Sequence, residues 1–526
     1  ADQALQGKVA GLYMARNSGT PGSTQQIRIR GMNSINASND PLIVVDGVPL
    51  TNFNLTGDSA SASSLSALSS INSNDIESIT VLKDAGATSV YGARGANGVI
   101  LITTKRGRKG GTQYEFVSSL GVQNNAIKGP RSLTGQEKFD LLLEAYNNTY
   151  NGGGPFNSEG VYNQLIDQFP GETEGLQEWV NRGRPVNNWS DYMLNKDALI
   201  SILNLSATGV DEKTTYFASL GYNKTEGTVI GSDFRRVSGT FSFDRKLSDK
   251  IDFGFNVNLS NIKQNGILEQ GAFFSNPNLI RYFMSPWNSP YNADGSYNLD
   301  RSKLSGLHNP LYTIPNNIKY NDVIRVINNN SLGYSITDDL KFTTQLSTDY
   351  SYVFYRNYNN PVHGDGFAYN GYAENSSAQM FKYTSQNSLD YRFYLGDNHR
   401  FDAKVLMEYE KLKYNYLYGF GESIPEGFDM LGNASANYDA STSYFDESNL
   451  SYLGLLNYSF QNRYLIDASI RREGNSKFHP DNRWGTFWSI GAAWNIMEED
   501  FLINNEALST LRLRGSYGTA GNSGIG

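Results

Sequence analysis

The stretch SVYGARGANGVILITTKRG, residues 89–107, places Gly92, Gly95 and Gly98 at every third position, ahead of a run of apolar and β-branched residues. In the dinucleotide-binding fingerprint the glycines follow a strand and open a helix, whereas here the predicted strand follows the glycines. A phosphate-binding loop is excluded as well, because no Gly-Lys-Ser or Gly-Lys-Thr comes after them. We therefore interpret these glycines as backbone positions that permit tight turns and the close approach of another segment.

The composition of the chain favours many strands joined by polar loops. The chain has 526 residues, of which 13% are aromatic, with 52 glycines, no cysteine, four histidines and a net charge of −8. An acidic chain lacks the basic surface that nucleic acids require, so no nucleic-acid partner is expected. The absence of cysteine excludes disulfides and thiolate metal sites, and no metal or other cofactor is expected. No apolar run is long enough to predict a transmembrane helix.

The first 110 residues read as a compact α+β unit. Leu5, Val9 and Leu12 have helical spacing and predict a short helix that Gly11 could end. Residues 59–70 are rich in serine and alanine and predict a mobile loop. Strands are predicted at residues 27–30, 41–50, 76–84 and 98–106, with a turn at Asp46-Gly47.

After residue 110 the pattern is a repeated alternation of apolar and polar residues. In FGFNVNL, residues 253–259, the apolar side chains share one face of a strand and the asparagines share the other. The same alternation recurs at residues 341–352, 401–410 and 484–494. We count about thirteen antiparallel strands of about ten residues, the length that crosses a bilayer.

The predicted connections alternate between short turns and long loops, which is typical of a membrane β-barrel. A soluble β-sandwich or propeller would also show alternating strands, but loops of about 60 residues are unusual in such domains. One long segment, RSLTGQEKFDLLLEAYNN at residues 131–148, predicts a helix capped by Ser132 or Thr134, with Glu137 completing the capping box. The predicted short turns are residues 247–250, 337–339, 396–399 and 461–463, and the predicted long loops are residues 261–322, 356–378 and 414–448.

Several separated motifs resemble one family. IESITVLKDAGATSVYGARGANGVILITTKRG (residues 76–107) and IRIRGMNS (residues 27–34) resemble the plug domain of TonB-dependent outer-membrane transporters. LQGKVAGL (residues 5–12), NDPLIVVDGVPL (residues 39–50) and NSKFHPDNRWGTFWSIGAAWNIMEEDF (residues 475–501) are similar to the SusC/RagA family of Bacteroidota.

The resemblance implies a 22-stranded antiparallel barrel with the α+β plug in its lumen. We therefore expect residues 1–110 to form the plug and residues 111–526 to form the N-terminal part of the barrel, with the C-terminal strands absent.

The resemblance also implies a function and partners. The expected function is import of a large nutrient, a glycan or a peptide, across the outer membrane, and not an enzymatic reaction. The expected partners are a SusD-like surface lipoprotein, the TonB–ExbB–ExbD complex of the inner membrane and outer-membrane lipid. A second hypothesis is a barrel of this family that serves as a scaffold without transport, and a passive porin is a third.

The candidate functional residues are those that would hold the plug against the barrel wall. We predict that plug arginines meet lumen-facing carboxylates, although solvated surface charge is the alternative for arginine. YNADGSYNLD, residues 291–300, suggests calcium ligands at Asn292 and Asp294, but the full ligand spacing is missing and a surface turn is favoured. The plug candidates are Arg28, Arg30, Gly31, Asp46, Gly47, Gly92, Arg94, Gly95 and Gly98, and the wall candidates are Asp349, Asp390, Asp402, Glu408 and Asp467.

Overall fold

The computed structural model describes residues 7–16, 18–51, 64–107, 111–127, 129–150, 170–266, 276–502 and 508–524. These residues form a small N-terminal unit with six short strands, here called the plug, and one large antiparallel sheet, here called the wall. In the described residues no helix is long and apolar enough to cross a membrane.

The plug contains a two-stranded and a four-stranded sheet. Strands β1 (Leu12–Arg16) and β2 (Gln25–Ile29) form the antiparallel pair. The larger sheet has the order β4-β3-β6-β5, in which β3 and β6 are parallel. Its strands are β3 (Leu42–Val45), β4 (Val48–Pro49), β5 (Ile76–Leu82) and β6 (Val99–Thr104).

The four strands predicted in the plug are confirmed, and so is the turn between β3 and β4. Asp46 and Gly47 have φ values of 49° and 84°, the two positive φ angles that a tight hairpin turn of this hand requires. The Asp46 carboxylate is held by Thr104, whose backbone N–H and hydroxyl donate to it at 2.9 and 2.6 Å. The turn is therefore fixed against the last plug strand.

Two local predictions in the plug are wrong. Residues 7–11 form turns rather than a helix, because Gly7 and Gly11 adopt φ values of 74° and 78°, and Leu12 begins a strand. Of the predicted mobile loop, residues 59–63 lie outside the described residues. Its remainder is packed, since Leu65 and Leu68 are buried and Ala67–Ser70 forms a 3-10 turn.

The wall is a single sheet of 13 strands in which each strand pairs with its neighbours in sequence. The predicted strand number is therefore confirmed. The strands are β7 (Gln113–Gln123), β8 (Ala198–Val210), β9 (Thr214–Glu226), β10 (Asp233–Ser248), β11 (Ile251–Asn265), β12 (Ile318–Ser335), β13 (Leu340–Asn359), β14 (Tyr372–Leu395), β15 (His399–Glu422), β16 (Ala436–Phe460), β17 (Tyr464–Asn475), β18 (Trp484–Asn495) and β19 (Arg512–Gly518).

The two faces of the wall are reversed relative to a water-soluble sheet. On β11 the polar Asn256 and Gln264 are buried, at 4% and 0% exposure, whereas the apolar Leu259 is 48% exposed. The polar face is buried because it lies against the plug. Strands as far apart as β8 and β18 accept hydrogen bonds from the plug: Asn72 donates to Asn204 of β8, and Ser89 donates to Ser489 of β18. The sheet therefore wraps around the plug and presents its apolar face outward, as a membrane barrel does.

The alternation of turns and loops is confirmed, but the loops are shorter than predicted. Short turns lie at residues 249–250, 336–339, 396–398 and 461–463. The loops predicted at residues 356–378 and 414–448 are observed only at residues 360–371 and 423–435, because β14 and β15 are longer than predicted, with 24 residues each. Antiparallel pairing continues beyond the ten or so residues that a bilayer requires, so hydrophobic thickness alone underestimates strand length.

Helices occupy the long loops at one end of the sheet. The predicted capping box is confirmed: Thr134 Oγ1 accepts from the N–H of Glu137 at 3.2 Å, and Glu137 accepts from the N–H of Thr134 at 2.8 Å. Between β7 and β8 lie α2 (Gly135–Tyr150), α3 (Pro170–Asn181) and α4 (Trp189–Met193), and between β11 and β12 lie α5 (Pro277–Phe283) and α6 (Pro310–Asn316), whereas the four-residue α1 (Ala85–Thr88) belongs to the plug. This end is called the long-loop end below.

Candidate functional site: the contact between plug and wall

The segment that opened the sequence analysis lies directly against the wall. Residues Ser89–Arg94 form a 3-10 segment that is interrupted at Gly92, whose φ is 59°. A Cβ at Gly92 would overlap the Glu473 carboxylate and lie 2.8 Å from Nε of Arg471. Only glycine allows this approach, so Gly92 brings the plug backbone onto charged side chains of β17.

Gly95 and Gly98 have a different use. A Cβ at Gly95 would overlap the carbonyl oxygen of Thr88, and a Cβ at Gly98 would lie 2.7 Å from Cδ1 of Ile29. Both contacts are within the plug. These glycines therefore compact the turn that presents Arg94, and Gly92 alone among the three faces the wall.

Arg94 forms ion pairs with two carboxylates of β15. Its Nη1 donates to Oε2 of Glu410 at 2.6 Å, and its Nη2 lies 3.4 Å from Oε1 of Glu408. Both glutamates are buried, at 5% and 4% exposure. The arginine and its carboxylates are separated by more than 300 positions in sequence, so the interaction joins plug to wall.

The wall supplies two further cations and a third carboxylate. Nη2 of Arg471 donates to Oε1 of Glu408 at 2.6 Å, and its Nε donates to Oε2 of Glu473 at 2.9 Å. Nζ of Lys382 lies 3.0 Å from Oε1 of Glu410. Three cations thus face three carboxylates, which balances charge in a buried place where an unpaired charge would be costly. We call these six residues the Arg94 contact: Arg94, Lys382, Glu408, Glu410, Arg471 and Glu473.

The same wall cations also hold the plug backbone. Nη1 of Arg471 donates to the carbonyl of Val90 at 2.9 Å, and Nζ of Lys382 donates to the carbonyl of Pro49 at 2.9 Å. The contact therefore binds two separate plug segments, the 3-10 segment and β4.

The charge state of Arg94 follows from its surroundings. Burial by itself would lower the pKa of the guanidinium, but the carboxylates of Glu410 and Glu408 outweigh burial and raise the pKa above its ordinary value. Arg94 therefore stays charged at every physiological pH while it touches the wall.

A second contact ties the plug to β12 and β13. Arg325 donates from Nε and Nη2 to the two oxygens of Asp349 at 2.9 and 2.7 Å, and both side chains are 1% exposed. Asp349 also accepts from the backbone N–H and hydroxyl of Thr51, at 3.2 and 3.0 Å. Arg325 donates in addition to the carbonyl of Ala67 at 3.2 Å. We call these four residues the Arg325 contact.

Two of the three predicted plug arginines do not reach the wall carboxylates. Arg28 forms an ion pair with Asp40, and Arg30 pairs with Asp84 at 2.6 Å, so both interactions remain within the plug. Both arginines belong to the β1–β2 part of the plug, where plug carboxylates are nearer than wall carboxylates.

The predicted wall carboxylates divide in the same way. Glu408 and Asp349 face the plug, although Asp349 is neutralised by a wall arginine and not by a plug arginine. Asp390 pairs with Lys404 and Asp402 pairs with Arg392, all within the wall near the short turns, while Asp467 is exposed on β17.

The remaining predicted residues are backbone positions. Gly31 has a φ of 99° directly after β2. The carbonyl of Asp46 accepts from Nδ2 of Asn329 on β12 at 3.0 Å, so the Asp46-Gly47 turn also touches the wall. Asn292 and Asp294 lie in a loop turn in which Asp294 accepts from the N–H of Ser296 at 2.9 Å, as expected for a surface turn.

Sequence reasoning missed the other charged residues of the contacts. Glu410 follows Glu408 by two positions, and Glu473 follows Arg471 by two positions, so each pair shares one strand face. That alternation was the available signal. No sequence signal marked Lys382 or Arg325 as a contact residue, because polar residues of every kind occur on the inner face.

A small cavity adjoins the Arg94 contact on the side of the long loops. It has a volume of about 240 Å³, and its lining includes Asp40, Arg94, Lys382, Glu447 and Lys477. The ionic contact therefore forms part of the floor of a space between plug and wall that is lined by both charged and apolar residues.

Comparison with known proteins agrees with this architecture. Residues 1–99 match the family model described as TonB-dependent Receptor Plug Domain. TonB-dependent receptor P26 of Formosa agariphila is 33% identical over 100% of this chain and 50% of its own length. TonB-dependent receptor SusC of Bacteroides thetaiotaomicron is 32% identical, also over 100% of this chain and 50% of its length.

Solved structures show the same fold. The RagAB peptide transporter superposes with a TM-score of 0.83 at 23% identity, over 100% of this chain and 59% of that chain. The ferric citrate transporter FecA superposes with a TM-score of 0.55 at 11% identity, over 98% of this chain and 60% of that chain. The chain spans about half the length of the curated relatives it matches. In sequence and fold the chain is therefore similar to SusC/RagA-like TonB-dependent receptors, over a plug and a partial antiparallel barrel.

Proposed function

We propose that the chain is the plug and the first thirteen strands of an outer-membrane importer that works with TonB. The plug would comprise residues 1–110 and the barrel portion would begin at residue 111. The apolar outward face of the wall supports a place in the outer membrane, and the relatives support dependence on TonB. The protein would move a substrate and would not transform it.

The observation that carries this proposal is the Arg94 contact. A plug held only by apolar packing would be a permanent core, whereas buried ion pairs can be exchanged for water when an external force separates the partners. TonB, energised by ExbB and ExbD, would pull on the plug and separate Arg94 from Glu408 and Glu410. A SusD-like lipoprotein would cover the long-loop end, and the substrate would be a glycan or a peptide.

An engineered disulfide tests whether the plug must leave the wall. Oγ of Ser89 in the plug lies 2.9 Å from Oγ of Ser469 on β17, and the chain has no cysteine of its own. We expect Ser89→Cys/Ser469→Cys to form a disulfide that abolishes uptake until a reductant is added. Ser89→Cys alone is the matched control and should transport. Uptake through the oxidised double variant would contradict movement of this part of the plug.

Uptake in cells with and without TonB tests the energy source. The probes are labelled starch oligosaccharides and a labelled peptide digest. Loss of uptake of one probe without TonB supports the importer, and equal uptake in both strains identifies a passive pore. No uptake of either probe, together with co-purified envelope proteins, favours the alternative in which the barrel is a non-transporting scaffold.

A further inference from the structure

A second, larger cavity lies at the long-loop end. It has a volume of about 730 Å³, within the range of ligand pockets. Two loops and the ends of β14 and β15 enclose it. Its lining includes Arg301, Asp365, Tyr372, Glu374, Phe420 and Glu422.

The cavity opens on the inner side of the wall. Tyr418, Phe420 and Glu422 alternate in register with Glu408 and Glu410, so they share the inner face of β15. At about 3.4 Å per residue, Tyr418 lies about 27 Å from Glu410 along β15. The cavity therefore faces the path that a substrate would follow toward the plug.

The lining combines aromatic rings with an excess of negative charge. Tyr372 lies 5.4 Å from Tyr369 and 5.8 Å from Phe420, measured between ring centroids. Asp365, Glu374 and Glu422 add three carboxylates against the single guanidinium of Arg301. Arg301 is tied to its own loop, because Nε and Nη2 donate to the carbonyl of Gly306 at 3.1 and 2.8 Å.

The two loops around the cavity are joined by a pair of histidines. Nδ1 of His308 and Nδ1 of His363 are 3.2 Å apart, and each ring also accepts a backbone hydrogen bond from the other loop, from Gly364 and Asn309. Burial lowers the pKa of both rings to about 4, so they stay neutral and add no positive charge to the cavity. The cavity is thus preformed.

We propose that this cavity binds cationic groups of the imported substrate, namely the lysine or arginine side chains of a peptide. Faces of aromatic rings attract cations, and the neighbouring carboxylates add an ionic partner. An anionic ligand would be repelled, and a neutral sugar could use the carboxylates only as hydrogen-bond acceptors, without an ionic partner of its own. The inference rests on the proposed import function and selects the peptide class of substrate for it.

Binding to the intact protein in detergent tests the inference separately from transport. The probes are the tetrapeptides Ala-Lys-Lys-Ala and Ala-Glu-Glu-Ala and the sugar maltotetraose, measured by calorimetry. We expect the lysine peptide to bind at least tenfold more tightly than either other probe, and to weaken as sodium chloride rises from 50 to 500 mM. This wild-type comparison needs no variant.

Removal of the carboxylates provides the second measurement. Glu374→Gln/Glu422→Gln keeps the shape of the cavity and should weaken the lysine peptide at least tenfold. Asp338→Asn/Asp397→Asn removes the same charge from the exposed short turns at the other end of β13, β14 and β15 and should change nothing. Equal affinity for both peptides, or an unchanged Glu374→Gln/Glu422→Gln variant, overturns the inference, and preferential binding of maltotetraose assigns a sugar site. TonB-dependent uptake without selective lysine binding would refute this inference alone.

Discussion

The Arg94 contact and the Arg325 contact hold the same plug in two different ways. In the Arg325 contact both charged groups belong to the wall, and the plug contributes only neutral donors and acceptors from Thr51 and Ala67. In the Arg94 contact the plug contributes a charge of its own. When the plug leaves, Arg325 and Asp349 still neutralise each other, whereas the wall residues around Arg94 are left with two cations and three carboxylates.

Because of this difference, separating the plug from the wall costs a different free energy at each contact. Detaching Thr51 costs two hydrogen bonds to the Asp349 carboxylate, each worth about 1.5–3 kcal/mol. Detaching Arg94 also leaves an excess carboxylate in the wall, which must be hydrated or protonated. We infer that the Arg325 contact mainly stabilises the wall and that the Arg94 contact mainly retains the plug.

The largest effect is expected from Arg325→Met. The substitution leaves Asp349 buried without the guanidinium that now binds both of its oxygens, which should lower the free energy of unfolding by about 3–5 kcal/mol. Denaturant unfolding in detergent measures the change. Arg392→Met, which breaks an exposed pair with Asp402, is the matched control and should cost less than about 1 kcal/mol. Equal losses of unfolding free energy for both variants would show that the buried Arg325–Asp349 pair does not stabilise the wall.

Arg94→Met should come next, and should act on the plug. Lys382 and Arg471 still accompany the wall carboxylates, so the loss should be about 2–3 kcal/mol, the value of charged hydrogen bonds. The readout is the labelling rate of a cysteine placed at buried Ser89, since the chain has no other.

A double variant isolates the ion pair in the Arg94 contact. Arg94→Met/Glu410→Gln should cost less than the two single variants together, because Glu410→Gln removes the carboxylate that Arg94→Met leaves in excess. Strictly additive losses would show that Arg94 and Glu410 do not interact.

Thr51→Val should have a smaller effect. It removes one hydroxyl donor to the Asp349 carboxylate while the backbone N–H of residue 51 and both Arg325 bonds remain, so we expect a loss of about 1.5 kcal/mol, the lower end for hydrogen bonds to charged groups. Plug labelling should increase only slightly. A loss as large as that of Arg94→Met would make the two contacts equivalent and refute the comparison.

A change of pH should affect retention of the plug least, because it acts on the two histidine-bearing loops and should spare both contacts. His308 and His363 have pKa values lowered to about 4 from an ordinary value of 6.5. Their stabilising contribution is therefore fully present above pH 6.5 and is lost as the pH falls toward about 4. The protection factors of the Asn309 and Gly364 amides, which compare each exchange rate with the intrinsic rate at the same pH, should fall across this window. The amide of Ala434, which bonds to the Leu431 carbonyl in another loop, is the control.

Local pattern was enough to predict most of the architecture. Strict alternation at residues 253–259 and 401–410 predicted strands with one apolar face, and the Asp46-Gly47 pair predicted the turn between β3 and β4. The helix expected at Leu5–Leu12 failed because two glycines with positive φ interrupt it. Strand ends were misplaced because antiparallel pairing between long neighbours continues past the ten or so residues that would cross a bilayer, and the composition of a single strand does not record that pairing.

Two features could be predicted from the sequence because each depends on neighbouring residues alone. Gly92 and Arg94 lie in a tight turn before the last plug strand, and Glu408 faces inward from its strand. The tertiary structure was needed to show that Arg94 forms ion pairs with Glu410 as well as Glu408, and that Asp349 forms its ion pair with Arg325. Those choices depend on how thirteen strands wrap around the plug, which brings together charges more than 300 positions apart.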